Sequence, residues 1–150
     1  MAWTDDRAPQ ADDLPWRLSL RVHHPSADLS DVAKRVGDAF GLEARWLWRA
    51  GDVDPHAKPA GQLKPTSYCL VEWLDTEGTI ATALADAMDA VSALREEIQA
   101  INASGGHLDF FVGLFVDSMM GFALPPQLLA RLAEAGIALE FDIYGRPSRG

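Results

Sequence analysis

Residues 107–116, with the sequence HLDFFVGLFV, constrain the fold most, because they are apolar on both faces of an extended segment. A strand that is apolar on both faces is typical of the centre of a sheet, where neighbours and cover surround it. Three further segments, at 16–24, 43–49 and 67–74, have the two-residue alternation or the β-forming composition of half-buried strands. The sequence therefore predicts a sheet with a central strand at 107–116.

Helical segments separate these strands. The apolar spacing predicts a helix over about 30–40 and a long helix over about 79–101, whose apolar stripe would face the sheet. Pro125 indicates the start of a third helix, since proline suits the first turn, and this helix is predicted to end at Gly136. The strictly alternating segment 138–144, ALEFDIY, is predicted to be a fifth strand that closes the domain.

The resulting order of elements is β-α-β-β-α-β-α-β. The first six match the split β-α-β of ferredoxin-like domains, so we expect an α+β fold with a mostly antiparallel sheet, helices on one face and an added C-terminal helix and strand. We expect a flexible acidic arm at 1–15, a single globular domain at 16–146 and a tail at 147–150. The core rows expected to face the long helix are Leu18, Leu20 and Val22; Leu108, Phe110, Val112 and Leu114; and Leu139, Phe141 and Ile143.

Charge and cysteine content narrow the class of protein. The net charge is −9, and nine acidic residues against one basic residue lie between 72 and 130. Such a chain does not suit the anionic backbone of nucleic acids or an anionic membrane surface, whereas it is compatible with a cationic protein partner. No apolar run approaches the length of a membrane span, and the single cysteine indicates a reducing compartment, so we expect a cytoplasmic protein.

Few residues are spaced for catalysis or for metal binding. Glu140 and Asp142 share one face of the last strand, and we expect them to be solvated or partner-facing carboxylates. His23 and His24 lie on opposite faces of one strand, and the histidines lack the helical or paired spacing of zinc sites. Cys69 alternates with core residues and is expected to be a small buried hydrophobe. We therefore predict no catalytic residue, no metal site and no cofactor.

Three stretches carry a resemblance to a known family. They are GLEARWLWRAGD at 41–52, LPPQLLARLA at 124–133 with the following Gly136 and Ile137, and ALEFDIY at 138–144. In order and spacing the chain resembles the uncharacterised bacterial family named domain of unknown function 4279, over about residues 16–144. The chain departs from that pattern at Ala44 and Ala50, where the family has proline and lysine, and at Ser67 and Tyr68, where it often has tryptophan. The resemblance implies a fold but no activity or site residue.

The leading functional hypothesis is a non-catalytic domain that binds a protein partner. An immunity-like protein that neutralises a basic toxin is one form of it, with an acidic helix face that speeds the encounter. The aromatic residues of the sheet face that helices leave open would complete the contact, or would pair with a second copy of the chain. The candidate partner-binding residues are Asp86, Asp89, Glu96, Glu97, Phe111 and Phe115.

The alternative hypothesis is a small-molecule-binding or enzymatic domain. The segment 50–66 holds three prolines and two glycines, which predicts a long loop that could close over the open sheet face as a lid. A concave pocket with converging polar groups would favour this alternative, and a flat or paired face would favour protein binding. The candidate pocket residues are Arg21, His23, Trp46, Trp48 and Asp142.

Overall fold

The computed structural model describes residues 16–73, 78–116 and 121–145. The expected arm at 1–15 and tail at 147–150 lie outside the described residues. The described strands are β1 (Trp16–His24), β2 (Ala44–Trp48), β3 (Ser67–Trp73), β4 (His107–Val116) and β5 (Ile137–Gly145), and the helices are α1 (Ser30–Phe40), α2 (Ile80–Val91), α3 (Arg95–Ala103) and α4 (Pro126–Ala135).

The strands form one sheet in the order β2-β3-β1-β4-β5. The pairs β2–β3, β3–β1 and β1–β4 are antiparallel, whereas β4 and β5 are parallel. A parallel neighbour requires a crossover, and α4 provides it between β4 and β5. The α+β class is confirmed, and the added C-terminal strand makes the sheet mixed.

The helices cover one face of the sheet. Residues from all four helices and from the alternate positions of β1, β3 and β4 belong to a single apolar core. The rows predicted for β1 and β4 are fully buried, as expected. The row predicted for β5 is wrong at its end, because Leu139 and Phe141 only flank the core and Ile143 is 69% exposed. As an edge strand, β5 is covered at its start, where Ile137 is buried.

The long helix predicted over 79–101 is interrupted. A 3-10 turn over residues 92–94 separates α2 from α3. Here the Ser92 hydroxyl donates to the Asp89 carbonyl at 2.6 Å, a local bond of the kind that competes with regular helical bonding. Both segments still face the sheet, because Leu84 and Val91 before the turn and Ile98 after it are buried. Within the described ranges no helix is long and apolar enough to cross a membrane.

Candidate functional site on the open sheet face

The face of the sheet opposite the helices carries a shallow groove. Its volume is about 220 Å³, and all five strands contribute to its walls. The loop 50–66, which is the candidate lid of the alternative hypothesis, contributes none of the lining residues. The groove combines three arginines with five aromatic side chains, namely Arg17, Arg21, Arg45, Trp46, Tyr68, Phe111, Phe115 and Tyr144.

Arg21 contacts two carboxylates and an aromatic ring on this face. Its Nε donates to Asp109 Oδ1 at 2.7 Å, its Nη2 pairs with Glu140, and its guanidinium lies 4.5 Å from the centre of the Phe111 ring. Burial acts to lower the pKa of Arg21, but the hydrogen bond and charge of Asp109, with the charge of Glu140, raise it above its usual value. Arg21 therefore stays cationic and holds two carboxylates.

His23 and His107 meet beside this pair. They lie directly opposite each other on β1 and β4, and their rings stack with centres 4.4 Å apart and planes 11° apart. The Nε2 atom of His23 is 3.6 Å from Asp109 Oδ2. Burial, followed by the nearby charges of His107 and Arg21, lowers the pKa of His23, and the opposing effect of Asp109 does not restore it.

No spacing along the sequence links His23 with His107 and Asp109, because the residues lie on two different strands that are far apart in the chain. The usable signal is the register: if β1 and β4 are antiparallel neighbours, the end of the first meets the start of the second, and His23 meets His107. His24, on the opposite face, is buried and accepts backbone hydrogen bonds from Ser26 and Ala27.

A row of aromatic contacts joins the histidines to the β2 edge. The ring of Tyr68 lies 4.9 Å from His23 and 4.8 Å from Trp48. The Lys64 ammonium, at the end of the loop 50–66, lies 3.9 Å from the centre of the Trp48 ring. Burial raises the pKa of Tyr68, so this hydroxyl stays protonated near neutral pH. Of the candidate pocket residues, Arg21, His23 and Trp48 are thus connected through neighbouring side chains, and Trp46 lines the groove.

The other end of the groove is built by aromatic residues of β4 and β5. The rings of Phe115 and Tyr144 stack with centres 5.2 Å apart, and the Arg17 guanidinium lies 5.7 Å from the Phe115 ring centre. The Tyr144 hydroxyl donates to Asp142 Oδ2 at 3.1 Å, which raises the pKa of that hydroxyl. Asp142 is therefore engaged with its strand neighbour, and Glu140 rather than Asp142 contacts Arg21.

The acidic helix face is partly neutralised within the molecule. Asp89 accepts from Arg131 at 2.6 Å, and Glu97 forms an ion pair with Arg35. Asp86 and Glu96 are exposed on α2 and α3. The four carboxylates predicted to attract a partner therefore include two that have cationic neighbours of their own.

The comparisons with known proteins give one family. Comparison with curated proteins gives no significant match, and comparison with solved structures gives none either. A family model, described as domain of unknown function (DUF4279), matches residues 15–146. This match spans nearly the whole chain and includes every strand and helix described above. The chain belongs to the DUF4279 family.

Proposed function

We propose that this chain is a non-catalytic domain that binds a protein partner through the open face of its sheet. The observation that carries the proposal is the group of partly exposed aromatic residues on that face: Trp46 is 47% exposed, Tyr144 47% and Phe115 37%. Arg17 and Arg45 are exposed beside them. Tryptophan, tyrosine and arginine dominate the residues that contribute most to protein–protein affinity, so this composition favours a protein contact.

The dimensions of the groove support a protein partner over a small molecule. A volume of about 220 Å³ is below the range of about 300–1,000 Å³ typical of ligand pockets. Its charged groups also satisfy one another, since Arg21 pairs with Asp109 and Glu140, and Arg45 pairs with Glu72. A small ligand would have to displace these bonds, whereas a protein can cover them and contact the aromatic rim.

The charge of the chain favours a cationic partner. A net charge of −9 accelerates encounter with a basic protein at low ionic strength. In this proposal Asp86 and Glu96 contribute to the encounter, and the open face forms the final contact. A basic toxin neutralised by an immunity-like protein is one such partner. A free, buried Cys69 supports a cytoplasmic location.

The same proposal includes a finer statement of the fold. We infer that β1–α1–β2–β3–α2/α3–β4 is a ferredoxin-like unit, to which α4 and β5 are added. The order β2-β3-β1-β4 with antiparallel neighbours supports this inference. In such a unit the helices leave one sheet face available for binding.

The test is capture of a partner by the immobilised protein from a lysate of its source cells, followed by affinity measurement with the purified partner. Trp46→Ala and Phe115→Ala should each weaken binding about thirtyfold, the equivalent of about 2 kcal/mol at a central contact. The matched control is Leu129→Ala. Leu129 is exposed to a similar extent, 46%, but it lies on α4 and not on the open sheet face. The association rate should fall as salt rises.

The proposal fails if the open-face variants bind as the parent does while Asp86→Asn or Glu96→Gln abolishes binding. Sedimentation of the isolated protein at micromolar concentration tests whether the partner is a second copy of the chain. If Trp46→Ala or Phe115→Ala converts a dimer to a monomer, the open face is a self-contact, and the proposed cationic partner is overturned.

A further inference from the structure

The open face also carries a cluster of three side chains of the types that bind metal ions. One ligand atom from each of His23, His107 and Asp109 can be chosen so that all three lie within 4.8 Å of one another. His23 and His107 are directly paired across β1 and β4, and Asp109 follows His107 by two residues on the same face of β4. The sheet register therefore fixes the backbone positions of the three residues relative to one another. A metal site needs such fixed positions, because side-chain rotation alone cannot bring distant backbones together.

The carboxylate of this cluster is already oriented. Asp109 is buried, its Oδ1 accepts from Arg21 Nε at 2.7 Å, and its Oδ2 is 3.6 Å from His23 Nε2. One oxygen is thus held by a neighbour while the other faces a histidine. Metal-ligating carboxylates are commonly held in this way by an outer hydrogen-bond partner. Glu140 pairs with Arg21, so two carboxylates stand against one guanidinium, and the local formal charge favours a cation.

The separations fit a tetrahedral ion after a small rearrangement. Bonds of about 2.0–2.2 Å at a tetrahedral angle place two ligand atoms about 3.3–3.5 Å apart, close to the 3.6 Å between Asp109 Oδ2 and His23 Nε2. The lone pairs of His23 and His107 lie in ring planes that are nearly parallel, so both cannot point at one ion while the rings stack. His107 is exposed, and rotation of its side chain removes this conflict.

We propose that His23, His107 and Asp109 bind one divalent transition-metal ion of the zinc type, with water in the remaining position. Two imidazoles and one carboxylate suit zinc and its first-row neighbours, whereas magnesium and calcium prefer oxygen ligands alone. The proposal is independent of the partner-binding function, because it rests on the register of β1 and β4 and on the anchoring of Asp109.

The experiment is calorimetric titration of ZnCl₂ into protein stripped of metal with a chelator, at pH 7.5. The parent should bind one zinc ion with a dissociation constant in the micromolar range, and MgCl₂ at the same concentrations should give no binding heat. His107→Ala should weaken zinc binding about tenfold or more, since it removes a ligand at an exposed position where the fold tolerates the change. His56→Ala is the matched control, because His56 is exposed on the loop 50–66 and lies outside the cluster.

A second variant separates the loss of a metal ligand from a loss of folding. Asp109→Asn keeps an oxygen that can accept from Arg21 but removes the anionic ligand, so it should also weaken zinc binding about tenfold or more. Metal-free thermal melting of each variant shows whether it is folded at the titration temperature. The proposal is overturned if the parent binds no zinc at 100 μM, roughly a hundredfold above the expected constant. It is equally overturned if His56→Ala weakens binding as much as His107→Ala, or if magnesium binds as tightly as zinc.

Discussion

Arg21 Nε donates a hydrogen bond of 2.7 Å to Asp109 Oδ1, which joins the neighbouring interior strands β1 and β4 on the open face. Asp109→Ala should lower the free energy of unfolding by about 1–3 kcal/mol, because it leaves a partly buried guanidinium without its buried carboxylate partner. Arg21 keeps Glu140, so the loss should stay below that of a fully buried broken pair. Urea unfolding measures the change.

Two comparisons make that result specific. Asp109→Asn should recover much of the stability, since an amide oxygen can still accept from Arg21. Asp86→Ala, at an exposed carboxylate, should change stability by about 0.5 kcal/mol or less. An Asp109→Ala variant that unfolds at the same urea concentration as the parent would show that the Arg21 pair adds no net stability.

Replacing Gly37 by alanine should destabilise the protein, which is the opposite of the usual effect of this change inside a helix. Replacing a glycine inside a helix by alanine normally stabilises by about 0.5–1 kcal/mol. In α1 a Cβ at Gly37 would clash with the carbonyl oxygen of Leu42, and Leu42 N–H is fixed by a 2.8 Å bond to the Gly37 carbonyl. This bond belongs to the helix ending at Gly41, whose φ is +66°. Gly37→Ala should therefore destabilise by about 1–3 kcal/mol.

The control for Gly37 is Gly121→Ala. Among the described residues, no atom lies within 4 Å of a Cβ added at Gly121, so the melting temperature of Gly121→Ala should stay within about 2 °C of the parent value. If Gly37→Ala melts above the parent protein, the close approach of Leu42 relaxes freely and the helix propensity of alanine prevails.

Two leucines of different burial test the position of the core. Leu84 on α2 is fully buried, and Leu84→Ala should cost about 2–5 kcal/mol. Leu129 on α4 is 46% exposed, and the same substitution there should cost less than about 1 kcal/mol. Denaturant unfolding of both variants compares one chemical change at two depths. Equal losses would contradict the assignment of Leu84 to the inner face of the interrupted helix.

The order of elements and the inner faces of β1 and β4 could be predicted from the sequence because local spacing determines them. Alternation over 16–24 separates Leu18, Leu20 and Val22 from Arg17 and Arg21, and burial follows that separation. The end of β5 could not be predicted this way. Ile143 continues the apolar row, but alternation does not reveal how far the helices extend over an edge strand.

The composition of the open face depends on pairing between distant segments. Phe111 and Phe115 from β4 and Trp46 from β2 line the same groove on this face. Trp73 instead packs between Phe40 and Phe110 on the helix side. The contact of Arg21 with Asp109 and Glu140 spans three strands, and no spacing along the chain encodes it.

Cys69 should be unreactive in the folded protein. Burial raises its pKa to about 11, so the thiolate that reacts with disulfide reagents is scarce at pH 8. Reaction with Ellman's reagent should be slow in buffer and should reach one thiol per chain within minutes in 6 M guanidinium chloride, since the chain has a single cysteine. Rapid labelling in buffer, with folding verified by circular dichroism, would contradict the buried position of Cys69.

His23 should make stability depend on pH in the absence of metal. Its pKa in the folded protein is lowered from the usual 6.5 by burial and by the charges of His107 and Arg21, with Asp109 and Glu140 opposing. Below pH 6.5 the unfolded chain therefore binds the proton more readily than the folded one. The contribution of His23 is fully present above that pH and is lost as pH falls through the folded pKa. In a buffer with chelator, urea unfolding at each pH should show that the parent loses more stability between pH 7.5 and 5.5 than His23→Gln does.

NMR titration should also show that His107→Gln raises the pKa of His23 while His56→Gln leaves it unchanged. Parallel stability curves for the parent and His23→Gln, or an unchanged His23 pKa in His107→Gln, would show that the stacked pair does not control this proton.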